Sequence, residues 1–207
     1  MDRETFDLYN LARNHWGEEE WLSEVETRIH DLLALFGDDP ERAGLVETPA
    51  RVARMYAEML EGMVVSDLDI AEKFDKCFEE GISDDMVVIK NIEAFSFCEH
   101  HLALMYNMKV HVGYIPNGKV IGLSKVPRIV NMVTKRLQLQ ERIGKEVASI
   151  LRHILNTENV IVVIESNHAC MNARGVKNPA KTTTACINGM FKTSSDLRKE
   201  FYSNIKE

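Results

Sequence analysis

The sequence predicts an α+β protein: a helical amino-terminal segment, residues 1–85, leads into a single compact domain, residues 86–207. Three observations point there. Apolar residues recur at three- and four-residue steps through the first half, and from Met86 the pattern changes to short β-rich runs mixed with further helical periods. No repeat, low-complexity tract or linker divides the chain.

In the first segment Trp21, Leu22, Val25, Ile29, Leu32, Leu33 and Phe36 form one apolar stripe that Gly37 stops. After a polar turn at Asp38-Asp39-Pro40, Thr48 is expected as the cap of a second helix with Pro49 at its first position. That helix runs through Val52, Met55, Tyr56 and Met59 to Gly62. The segment alone is too thin to be a domain.

The second part starts with a strand at Val87-Val88-Ile89. Val110 to Ile115 and Val120 to Leu123 follow, expected to pair as a hairpin through Pro116-Asn117-Gly118. A helix begins near Ser124, and Ile143, Val147, Ile150, Leu151 and Ile154 mark another. Val160 to Ile164 reads as a buried strand leading into His168 and Cys170; a strand from Thr182 to Ile187 and a helix from about Ser195 complete the chain. Such a sheet, covered by helices on one face, leaves strand edges and apolar surface open, and joining sheets between subunits closes them.

Composition narrows the function. Of 207 residues, 45% are hydrophobic and 28% charged, as in a folded globular protein. The net charge of -7 argues against a nucleic-acid or acidic-membrane partner, so an anionic ligand needs a local basic pocket. No run reaches the roughly 20 apolar residues of a membrane helix, and Met-Asp-Arg-Glu lacks the order of a secretion signal; a cytoplasmic location is expected. In a reducing compartment Cys77, Cys98, Cys170 and Cys186 are better read for metal or catalysis than for disulfides.

Cys98-Glu99-His100-His101 and His168-Ala169-Cys170 carry the sharpest chemistry. Thiolate and imidazole are zinc's preferred ligands, and a catalytic site uses three of them with an open fourth position. If the chain stays extended after the Val160 strand, His168 and Cys170 face the same way. Spacing alone also admits a structural site with His100 or His168 as fourth ligand, or buried cysteines beside unrelated histidines.

Ser124 caps the helix that follows Gly122-Leu123, with Lys125 and Arg128 on one face: a seat for phosphate, or a solvated surface helix. Glu141, in Gln140-Glu141-Arg142, offers two coplanar acceptors to the N1–H and exocyclic amine of a guanine; a solvated helix face fits the same residues. Arg174, followed by Gly175, is equally ambiguous.

Taken together the stretches resemble the GTP cyclohydrolase I family. The matching runs are Asp39-Pro40-Glu41-Arg42 with Gly44-Leu45, Thr48-Pro49-x-Arg51-Val52-Ala53, Cys98-Glu99-His100-His101, and Tyr114-Ile115-Pro116. Ile121 to Lys125 with Arg128-Ile129-Val130, Gln138-x-Gln140-Glu141-Arg142, and His168-x-Cys170 with Arg174-Gly175-Val176 follow in the same order, from about Trp21 to Phe201. Two stretches depart from the family pattern: Ala103 to Met108, and Lys177 to Lys181, which lacks the serine often found ahead of the threonine run.

The resemblance implies the tunnelling fold, an antiparallel sheet with helices on one face whose subunits join their sheets into a barrel, commonly as a homodecamer with active sites shared between subunits. It implies GTP as substrate, attacked at guanine C8 with release of formate and rearrangement to 7,8-dihydroneopterin triphosphate. It marks Cys98, His101 and Cys170 as ligands of Zn2+ and His100 and His168 as the acid/base pair. Ser124, Lys125, Arg128 and Arg174 then hold ribose and triphosphate, with Ser124 assisting the ribose steps, while Gln140 and Glu141 anchor the guanine. The rivals are a non-catalytic zinc-stabilised nucleotide-binding protein and a tunnelling-fold enzyme acting on another purine or pterin.

Overall fold

The computed structural model describes residues 1–79 and 85–206, so the stretch just before the expected boundary at Met86 lies outside it. The chain forms two compact units, Met1–Val64 and Val65–Glu207. No helix among the described residues is long and apolar enough to cross a membrane.

Helices α1 (Arg3–Asn14), α2 (Glu19–Leu35) and α3 (Thr48–Met59) and a 3-10 turn at Glu61–Val64 make up the first unit. α2 carries the stripe expected from Trp21. It stops where Gly37 takes φ 86°, a left-handed conformation that glycine adopts without a Cβ penalty. Trp21 is buried against Trp16, whose Nε1–H donates to the Ala57 carbonyl at 3.0 Å and ties α3 to the start of α2. The beginning of α3 differs from the expectation: Glu47 holds the cap position, and Thr48 is already helical, with its N–H bonded to the Leu45 carbonyl at 2.8 Å. A backbone turn ahead of the helix has taken over the role expected of the threonine hydroxyl. The helix also ends before Gly62, which lies inside the 3-10 turn.

The second unit begins with α4 (Asp67–Lys73), β1 (Cys77–Glu79), β2 (Val87–Cys98), β3 (Ala103–Tyr114) and β4 (Lys119–Ile121). It continues with α5 (Lys125–Thr134), β5 (Leu137–Gln138), α6 (Gln140–Leu155), β6 (Val160–His168), α7 (Ala169–Asn172), β7 (Lys181–Ile187), α8 (Met190–Thr193) and α9 (Ser195–Ile205). The main sheet has the order β5-β2-β3-β6-β7. All its neighbours are antiparallel except β2 and β5, so the sheet is mixed at that edge.

The expected hairpin between β3 and β4 does not form. Both edges of β3 are already taken by β2 and β6, and Ile115 N–H continues the pairing to the Asn159 carbonyl. Asn117 instead donates to the Asn156 carbonyl at 2.8 Å, and β4 turns away to pair with β1. A proline-asparagine-glycine turn signals reversal but not the partner that receives the returning strand.

Alternation along the strands sets the two faces. Val110, Val112 and Tyr114 of β3 and Val160, Val162 and Ile164 of β6 point into the main core, where they meet Ile129 and Val133 of α5 and Ile143, Val147, Ile150, Leu151 and Ile154 of α6. Each such side chain contributes about 1.5–3 kcal/mol by leaving water. Ile161 and Val163 point the other way, and α8 and α9 cover them through Phe191 and Phe201. Helices therefore lie on one face as expected for α5 and α6, while α9 shields the apolar end of the other. Gly113 permits this contact: a Cβ there would sit 2.7 Å from the Phe201 ring and 2.9 Å from Ile161 Cγ2.

Candidate active site

At one end of the sheet, β2 finishes at Cys98, β3 starts at Ala103 and β6 finishes at His168. The register joins these ends, since Cys98 pairs with Ala103, Met105 with His168, and Cys98 with Gln138 across the parallel edge. Between Cys98 and Ala103 the chain makes a tight turn. Both His101 N–H and Leu102 N–H bond the Cys98 carbonyl, at 3.4 and 2.9 Å, and Leu102 adopts φ 49°. The turn folds His101 back over Cys98.

The third member of the cluster comes from the end of β6. Cys170 does not continue the strand in extended form: Ala169 opens α7, closed by an Ala173 N–H bond to the Ala169 carbonyl at 2.9 Å. A helical turn rotates successive side chains by about 100° rather than 180°, so His168 and Cys170 diverge instead of facing the same way. Cys170 reaches the turn while His168 reaches α6. The ligand atoms of Cys98, His101 and Cys170 then lie within 4.8 Å of one another, close enough to hold a metal ion.

The donor chemistry fits that use. Burial raises the Cys170 thiol pKa, and the neighbouring Cys98 raises it further. Two thiolates gathered beside a buried strand end repel each other, and a cation between them removes the penalty. Cys98 is buried and His101 exposed, which leaves the cluster open to solvent on the histidine side.

His168 is placed by a buried network. Gln140, the first residue of α6, donates its amide hydrogens to the carbonyls of Ile164 at 2.9 Å and Thr182 at 3.0 Å. Its Oε1 accepts from the Ser166 hydroxyl at 2.8 Å and stands 2.8 Å from His168 Nε2. Two carbonyl partners orient the amide, so Oε1 can only accept and Nε2 of His168 must carry hydrogen. Nδ1 is then the atom free to exchange a proton. Burial lowers the His168 pKa, partly opposed by the charge of Glu141, so the neutral imidazole is favoured.

Glu141 follows on the exposed side of the same helical turn. Arg142, next again, grips Glu99 with both prongs of its guanidinium, at 2.6 and 3.2 Å, and this contact holds the Glu99 carboxyl below the usual range. His100 is exposed. Its Nδ1 lies 3.8 Å from Cys98 Sγ and its ring stands edge-on to His101, with centroids 6.2 Å apart. Arg174 is also exposed, and its charge acts on Cys170.

The cationic residues of α5 lie elsewhere. β4 pairs with β1, Gly122 N–H bonds the Lys76 carbonyl, and Ile121 shares the core with Tyr114 at the far end of β3. From there α5 runs for about 15 Å before its final turn leads to β5 beside Cys98. Ser124, Lys125 and Arg128 therefore sit at the opposite end of α5 from the cysteine cluster of their own chain. Ser124 holds the cap position but its side chain makes no capping bond, and its αR backbone leaves the N–H of Lys125 to bond Gly122.

A cavity of about 1000 Å³ lies on the other face of the sheet, over the cross-strand row Glu93, Lys109, Glu165 and Thr183. It contains none of the residues expected in the active site. Conversely, three residues that shape the site carried no role in the sequence reading. Ser166 gives no signal inside a strand, whereas Glu99 and Arg142 stand within the two quoted motifs and become partners only in three dimensions.

The comparisons with known proteins agree with this geometry. Residues 25–206 match the family model of GTP cyclohydrolase I, whose fold is the tunnelling fold. The GTP cyclohydrolase 1 of Clostridium acetobutylicum is 52% identical over 178 residues, covering 84% of this chain and 91% of that protein. The GTP cyclohydrolase 1 of Clostridium botulinum strain Kyoto is 53% identical over 175 residues, covering 82% and 89%, and that of Ruminiclostridium cellulolyticum is 52% identical over 179, covering 84% and 92%. With the match spanning both the strand ends that carry the cysteine cluster and the first turn of α6, the chain belongs to the GTP cyclohydrolase I family.

Proposed function

We propose that this protein is a zinc-dependent GTP cyclohydrolase I, which opens the guanine ring of GTP, releases C8 as formate and closes the remaining atoms into 7,8-dihydroneopterin triphosphate. The observation that carries this reading is the convergence of Cys98, His101 and Cys170 beside His168 in a member of that family. Zinc held by two thiolates and an imidazole supplies Lewis acidity that makes water a nucleophile near neutral pH.

The chain's own groups do the rest. Glu141 accepts from the guanine N1–H and amine and presents C8 to the metal side. Gln140, expected beside it as a guanine anchor, has its side chain engaged by Ile164, Thr182, Ser166 and His168 and serves the site by fixing the ring of His168. His168 moves a proton at Nδ1, taking it from water and passing it to N7, and its lowered pKa makes the protonated ring a readier donor. His100 serves the second C–N cleavage. Two waters are consumed in freeing formate and one is returned when the pterin ring closes, with Ser124 assisting the ribose steps.

Lys125, Arg128 and Arg174 bind the triphosphate. Because the start of α5 lies away from its own cysteine cluster, Ser124, Lys125 and Arg128 of one chain complete the site of a neighbouring copy. A homodecamer built by joining sheets provides that arrangement, and its free thiols suit the cytoplasm. The deciding experiment incubates the purified protein with GTP and zinc and measures formate and a fluorescent pterin together. GTP binding without either product would leave the non-catalytic nucleotide-binding reading.

A further inference from the structure

We propose that the Glu99–Arg142 ion pair is a positioning device, locking the turn that bears Cys98 and His101 to the helical turn that presents Glu141. The inference rests on the reading of the site given above. Glu99 stands between Cys98 and His100, and Arg142 directly follows Glu141. Their contact is two-pronged, and the backbone reinforces it, because Glu99 N–H bonds the Gln138 carbonyl at 3.1 Å.

Helix geometry makes the pair consequential. Side chains at 140, 141 and 142 leave the helix about 100° apart, so Glu141 is flanked by a tether on each side. Gln140 ties the turn to β6 and β7, next to His168 and two residues from Cys170. Arg142 ties it to the turn that carries the other two metal ligands. The carboxylate of Glu141 is thereby referenced to both chain segments that build the cluster.

Energetics separate this role from simple stabilisation. The two side chains are 41% and 30% exposed, and solvent screens such a pair, so it adds little to folding. A planar two-pronged contact nevertheless restricts orientation, which one ammonium cannot do. Misplacing a binding group by about 1 Å costs on the order of 100-fold in rate.

The test compares Arg142→Lys, which keeps the charge and loses the fork, with Glu99→Gln, Arg142→Gln and their combination. Zinc content and melting temperature should stay near wild type, while kcat/KM for GTP falls roughly 10- to 100-fold. GTP affinity, titrated calorimetrically in a His168→Ala background, should fall with it, and the double variant should be no worse than either single one. Arg142→Lys within twofold of wild type in both kcat/KM and GTP affinity, or additive losses in the double variant, would overturn the proposal. Absence of formate from the wild-type protein would instead defeat the assigned activity, and GTP affinity would still decide whether the pair positions Glu141.

Discussion

Nε2 of His168 lies 2.8 Å from Oε1 of Gln140, and this hydrogen bond has one direction. Gln140 spends both amide hydrogens on the carbonyls of Ile164 and Thr182, which leaves its oxygen to accept from His168 and Ser166. The imidazole is therefore held in the tautomer that keeps Nδ1 available, by a residue that is itself 2% exposed.

Gln140→Leu should remove the oxygen that orients His168 and leave the Ser166 hydroxyl without its partner. The expected loss of stability is about 1–3 kcal/mol, read from the denaturant midpoint. Turnover should drop as well, and an unchanged rate would separate the ring's orientation from the chemistry.

Metal binding and proton transfer should separate in a pair of variants. Cys170→Ser is expected to lose most of its zinc, whereas His168→Ala keeps zinc and fold yet loses on the order of 100-fold or more in formate release. Zinc analysis, melting and formate assay on the same samples check both. A His168→Ala protein that sheds its metal would make His168 a ligand rather than a proton carrier.

Glu141→Gln should cripple the use of GTP, since an amide offers one acceptor where the base presents two donors. Because Glu141 is exposed, stability should hardly change. A kcat/KM equal to that of wild type would place Glu141 outside the pocket.

Assembly should be required for activity, because Ser124, Lys125 and Arg128 stand at the far end of α5 from the cysteine cluster of their own chain. Mixing an Arg128→Ala chain with a Cys170→Ser chain should restore part of the activity that each lacks alone, through sites that draw an intact half from each partner. A monomer by light scattering under active conditions would contradict the shared site.

Gly113→Ala is expected to destabilise by about 1–3 kcal/mol, as overpacking does in a filled core. The added methyl collides with the Phe201 ring and Ile161, both buried. Pairing it with Phe201→Leu should recover part of the loss if the collision is the cause, and the two melting curves decide.

The sequence by itself determined much of this protein, because hydrophobic period and ligand chemistry are local properties. Ile143 to Ile154 declared the buried face of α6 and Gly37 the end of α2, while Cys98-Glu99-His100-His101 and His168-Ala169-Cys170 declared the two donor-bearing segments, with Cys98, His101 and Cys170 singled out by the family resemblance. Partner choice is not local. That β4 pairs with β1 instead of β3 depends on both edges of β3 being occupied, and that Cys170 leaves the strand depends on a helical turn four residues long. Gln140 was legible as part of a motif, but its grip on His168 exists only because β6 and β7 bring the Ile164 and Thr182 carbonyls to its amide. The Glu99–Arg142 contact joins residues 43 positions apart. Tertiary structure alone decides such contacts, since burial and competition among strand edges select one pairing from the many that residue types permit.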